Sequence, residues 1–213
     1  MVRYQAAFLH HHRRDVPAVQ AQAEALLTLA TDQGFPLFVG HGTYLQGWVL
    51  AMQGEGAAGL AQFRQGLTAI RATGAEQWWS LFLVVLAEAA GHAGQIDEGL
   101  RLLAETLTAL EASGQGDPLA EAYRLQGSLL LCRAVSDAVQ AEACFQQALA
   151  IARRQQAKSW ELRAATSLAW LWQQQGKRAE AYALLAPIYD WFTEGFDTVD
   201  LQEAKALLEE LGT

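Results

Sequence analysis

The sequence predicts an all-α fold built from about five antiparallel helix hairpins and a C-terminal capping helix. Three observations predict it. Apolar residues, mostly Ala and Leu, recur at helical spacing while β-branched residues are sparse, a mix that favours helix over sheet. A small–aromatic–small pattern returns at near-constant intervals. Glycines return in step with it, where a left-handed residue would end a helix.

The pattern is clearest at Ala141-x3-Phe145-x2-Ala148 in AEACFQQALAIARR. On one helical face, small residues let two helices approach closely and the aromatic fills the gap between hairpins. Gly59-x3-Phe63-x2-Gly66 repeats it with glycine in both small positions. Gly99-x3-Leu103-x2-Thr106 and Ala181-x3-Leu185-x2-Ile188 are weaker copies. The first positions, 59, 99, 141 and 181, are spaced by 40, 42 and 40 residues. Gly54, Gly94 and Gly176 stand five residues before three of them and close the first helix of each hairpin. The fourth turn, CRAVSDAVQAEA, is about two residues longer, with Ser136 and Asp137 as its turn or N-cap residues.

In chain order the hairpins run roughly 1–33, 36–73, 76–113, 117–156 and 158–190, joined by QGFP, RATGAE, ASGQGDP and RQQAKS. The first is trimmed, with Val19, Ala23 and Leu26 keeping the register. Leu45-Gln46-Gly47 and Leu125-Gln126-Gly127 mark first helices. A last helix, residues 200–211, has residues 197–200 as candidate caps and ends at Gly212. No composition break divides the chain, so residues 1–213 read as a single repeat domain.

These motifs resemble the tetratricopeptide (TPR) superfamily, in its longer-period variety. The resemblance implies a right-handed superhelical solenoid and a binding scaffold. Residues 158–213, with GKRAEAYALLAPIYDWF and FDTVDLQEAKALLEELGT, further resemble the C-terminal regions of bacterial maltose-regulator-type activators and of signalling ATPases fused to nucleotide cyclases. That resemblance implies an interaction or sensor region, with the ATPase or cyclase module upstream.

Composition excludes several function classes. The net charge is −8 and basic residues never run longer than two, so no phosphate-tracking patch and no nucleic-acid partner are expected. No apolar stretch is long enough to span a bilayer, and no membrane partner is expected. No GxxxxGK[ST], CxxC, HExxH or GxSxG occurs, so neither a catalytic residue nor a cofactor is assigned. His10, His11 and His12 project about 100° apart on a helix and cannot converge on one ion, so no metal site is assigned. His41 and His92 read as groove or packing residues rather than bases. Cys132 and Cys144 read as small buried hydrophobes, and a reducing cytoplasm fits them.

In the TPR frame the first helices line a concave groove that takes a protein or peptide. Carried over residue by residue, its lining is His41, Tyr44, Trp48 and Met52, then Trp78, Leu81, Val84, Glu88 and His92. Arg124 and Ser128 follow, then Arg163, Thr166, Trp170 and Gln173, with Tyr4, Phe8 and His11 extending the stripe. For Trp48 and Trp170, groove exposure and inter-helix core both remain open, whereas Trp172 falls at a core position. Arg124 and Arg163 could hold an acidic group, since a guanidinium grips carboxylate as a fork. The chain has no Asn, which disfavours the carboxylate-clamp subtype of TPR. A small-ligand sensor, with the aromatic groove enclosing a sugar or metabolite, is the alternative function.

Overall fold

The computed structural model describes residues 2–75, 78–113, 116 and 118–212, which form eleven α-helices, one 3-10 turn and no strand. In order, α1 spans Val2–His12, α2 Val16–Asp32, α3 Pro36–Met52, α4 Gly56–Ala72, α5 Trp79–His92 and α6 Ile96–Ser113. The 3-10 turn Val135–Asp137 separates α7 (Leu119–Arg133) from α8 (Ala138–Gln155), and α9 (Lys158–Gln174), α10 (Arg178–Tyr189) and α11 (Val199–Leu211) complete the chain. Four sequential pairs pack as expected hairpins: α1 with α2, α3 with α4, α7 with α8 and α9 with α10. Glu76, Gln77, Gly114, Gln115 and Asp117, at the edges of the third and fourth expected hairpins, lie outside the described residues. Two compact units result, Met1–Leu102 and Leu103–Thr213, with the boundary inside α6.

The turns follow backbone geometry that glycine tolerates best. Gly54, Gly94 and Gly176 close α3, α5 and α9 with φ of 92°, 74° and 79°. Arg14, one repeat before Gly54, takes φ 58°, and Gln156 takes φ 56° after α8. The turn shape therefore recurs where the glycine does not, at a steric cost of about 1–2 kcal/mol for each side chain. Asp15 caps α2 by accepting the amide of Ala18 at 3.1 Å. Asp137, an expected cap, makes no such bond. Its carboxylate instead accepts from Arg133 Nε at 2.8 Å, because the 3-10 turn carries it back beside the end of α7.

In unit 1, α3 and α4 touch backbone to backbone. A Cβ on Gly47 would stand 2.4 Å from the amide nitrogen of Phe63, and one on Gly66 would stand 2.4 Å from that of Tyr44. Any side chain there would have to push two main chains apart. Phe63 is then sealed beneath the crossing. In unit 2 the same place is filled differently: the ring of fully buried Phe145 lies where a Cβ on Gly127 would stand, 2.6 Å away. Ala120, Ile151 and Ala152 form a further cluster there with Leu119, Tyr123 and Trp160 against it. Leu201, Ala204, Leu207 and Leu211 bury one face of α11 against α9 and α10, as a cap should.

Candidate functional site

In unit 1 the first-helix face of α3 is filled by side chains from both neighbours. Tyr4 of α1 stacks on His41 with ring centroids 4.1 Å apart, and His11 meets Trp48 edge-on at 4.6 Å. Phe82 of α5 lies 5.7 Å from His41 and 5.1 Å from Tyr44. The indole of Trp48 is 1% exposed, and its Nε1 donates to Glu88 Oε2 at 3.0 Å.

This corrects the expected groove in unit 1. His41, Tyr44, Trp48, Leu81 and Val84 are buried core residues rather than an open lining. The reason is ring volume: α1 and α5 fill the spaces beside α3 with aromatics. Met52 and Glu88 are half-buried, and His92 and Trp78 are exposed. Trp78 precedes α5 with φ 68°. Burial pushes the His41 imidazole down to about 4, and its Nδ1 has no hydrogen-bond partner. Burial raises the Tyr4 and Tyr44 phenols.

Unit 2 carries a charged array on the corresponding face. Arg124 donates to Glu121 as a fork, Nε to Oε2 at 2.8 Å and Nη2 to Oε1 at 2.7 Å. Arg163 Nη1 lies 3.6 Å from the same Oε1, and Arg163 Nε donates to Asp200 Oδ2 at 2.8 Å. Both guanidinium groups expected to hold a partner's acidic group are thus already engaged by carboxylates of this chain. Beyond them on α9, Thr166 and Gln173 are half-buried and Trp170 is 51% exposed. Helical spacing places Arg163, Thr166, Trp170 and Gln173 on one face of α9. Ser128 is half-buried and donates to the Arg124 carbonyl at 3.1 Å.

Other residues depart from expectation less. Trp172 is half-buried rather than core, and its Nε1 donates to Glu142 Oε1 at 2.8 Å. Cys132 is exposed and Cys144 half-buried, so neither is a buried packing residue, and both are free thiols. Glu161 is held below the usual carboxylate range. Burial alone would raise it, but bonds from Lys158 at 2.7 Å and Arg153 at 3.0 Å outweigh that. Among the described residues no three His, Cys, Asp or Glu side chains form a metal-holding group. No described helix is long and apolar enough to cross a membrane.

Neither a protein-family model nor a curated protein matches this sequence. Solved structures do. A crystal structure of a Podosopora anserina protein, described as a kinesin light chain with nearly identical TPR-like repeats, matches with TM-score 0.56 at 14% identity, covering 98% of this chain and 94% of that one. A single-substitution variant of those repeats matches with TM-score 0.58 at 15% identity, covering 88% and 91%. At that identity the likeness is one of fold. The chain has a TPR-like helical repeat fold.

Proposed function

We propose that this chain is a non-catalytic scaffold that binds a protein or peptide on the first-helix face of α7 and α9. The observation that carries the reading is Trp170. Its indole is 51% exposed on the face where Trp48 of unit 1 is sealed. A half-exposed indole, with Thr166 and Gln173 on the same helix face, offers an apolar anchor beside hydrogen-bonding groups. The carboxylates already gripping Arg124 and Arg163 favour a neutral or mixed segment over an acidic one. A small-ligand sensor is less well supported, because Tyr44 and Trp48, which would enclose the ligand, are core residues.

The resemblance of residues 158–213 supports a finer placement. On it, the chain is the interaction or sensor region of a bacterial signalling or transcription-regulating ATPase, working in the cytoplasm as part of one repeat domain.

The test is affinity capture from a bacterial lysate on the immobilised chain. The expected result is a protein held by the wild type and by Gln147→Ala, an exposed position on α8, but lost with Trp170→Ala. All three proteins should melt alike, since an exposed substitution shifts stability by less than about 0.5 kcal/mol. Equal capture by Trp170→Ala and wild type would overturn the reading.

A further inference from the structure

The connection between α10 and α11 puts large aromatics into solvent although the core beside it is complete. Trp191 is 58% exposed and Phe196 48% exposed, while Leu185, Ile188, Leu201 and Ala204 on the flanking helices are buried. The segment is tied down. Gly195 takes φ 78°, and its carbonyl accepts both the amide of Thr198 at 2.9 Å and the Thr198 hydroxyl at 2.7 Å. Phe196 packs on Tyr189 with ring centroids 6.0 Å apart, and Trp191 meets Phe192 edge-on at 5.2 Å. These rings are held in place before any partner arrives, which lowers the entropy cost of binding them.

The segment that carries them is acidic in balance. From Tyr189 to Thr213 the sequence holds seven carboxylates, at 190, 194, 197, 200, 203, 209 and 210, against the single cation Lys205, a net charge of −6. Asp190 and Glu194, which flank the aromatics, are exposed. A cation of the chain itself already lies near Trp191: the ammonium of Lys158, which is bound to Glu161 at 2.7 Å, sits 5.5 Å from the ring centroid. An indole face attracts cations, and nearby carboxylates strengthen and steer that attraction.

We propose that the α10–α11 connection is a docking surface for a basic, Arg- or Lys-rich segment of a partner protein. The aromatic rings take the cationic side chains or their methylene stems, and Asp190 and Glu194 pair with the charged heads. This surface uses different residues from the first-helix reading above and can fail or succeed without it.

Isothermal titration of the full chain with a short Arg/Ala peptide, and with a Glu/Ala peptide of equal length, tests the proposal. The Arg/Ala peptide binds with an affinity that falls as salt rises, and the Glu/Ala peptide does not bind. Trp191→Ala with Phe196→Ala, which leaves every charge in place, weakens binding at least about tenfold. Asp190→Asn with Glu194→Gln does the same. Glu24→Gln with Glu55→Gln, an equal charge loss elsewhere, binds like wild type. Undiminished binding by the aromatic double variant means a diffuse electrostatic effect and overturns the proposal, as does no binding by wild type. If Trp170→Ala is the variant that loses the basic peptide, the site is the first-helix face and this proposal falls.

Discussion

Trp48 Nε1 donates to Glu88 Oε2 at 3.0 Å across 40 residues of sequence, one repeat length, linking α3 to α5. The bond explains how a fully buried indole keeps its donor satisfied. Trp48→Phe would keep most of the apolar bulk and leave the half-buried Glu88 carboxylate without this donor. We expect a loss of about 1–2 kcal/mol in urea denaturation. A double-mutant cycle with Glu88→Ala, which removes the acceptor, isolates the pair. Additivity within about 0.3 kcal/mol would mean that the bond contributes nothing of its own.

The glycines of the α3–α4 crossing offer a sharper test. Gly66→Ala places a methyl group 2.4 Å from the Tyr44 amide nitrogen, where only main chain could yield. The expected destabilisation is about 3 kcal/mol, the upper end for overpacking. Phe145→Ala, which empties a buried aromatic site, should cost about 3–5 kcal/mol. A Gly66→Ala protein that melts like wild type would mean that α3 and α4 lie further apart than a 2.4 Å approach to the Tyr44 amide requires.

Helix pairing was legible because small–aromatic–small spacing and turn glycines are local signals. The sequence therefore marked Phe63 and Phe145 as buried and placed turns at Gly54, Gly94 and Gly176. Arg14 and Gln156 adopt the same left-handed turn without a glycine, so composition alone did not reveal them. The groove was less legible. An inward position in a repeat frame does not say whether the neighbouring helix fills it, and in unit 1 Tyr4, His11 and Phe82 do. The repeat register carries one further signal: residues at equivalent places in successive first helices meet. Positions 48 and 88 pair Trp with Glu, and 121 and 163 pair Glu with Arg.

His41 gives unit 1 a specific pH dependence. Its pKa is about 4 in the folded protein against 6.5 in the free side chain, because burial disfavours the imidazolium. Above that ordinary value both states are neutral and His41 contributes nothing to the slope. Between 6.5 and 4 the unfolded chain binds a proton that the folded chain refuses, so stability falls as pH falls. The loss across the window is at most about 3 kcal/mol. His41→Phe should remove that part of the slope and leave the rest of the pH dependence in place. Parallel stability–pH curves for the two proteins would refute the assignment.

The attachment of α11 is the last expectation, and it sets a buried ion pair against an exposed one. Arg163 Nε donates to Asp200 Oδ2 at 2.8 Å, and Arg163 also faces Glu121 at 3.6 Å, so α7, α9 and α11 meet in one largely buried charged array. Asp200→Ala leaves the guanidinium short of a partner in a poorly solvated place. Removing one member of a buried pair costs about 3–5 kcal/mol, and the lower end applies because Glu121 remains beside Arg163. Lys205→Ala, which breaks the exposed pair with Glu209, should cost less than about 0.5 kcal/mol. Hydrogen exchange locates the effect: the α11 amides should lose protection in Asp200→Ala and keep it in Lys205→Ala. Deleting residues 197–213 goes further and uncovers Ala181, Leu185 and Ile188, so that protein should self-associate. If Asp200→Ala behaves like Lys205→Ala, the apolar face of α11 alone holds the helix in place. The Arg163–Asp200 pair would then be incidental to its docking.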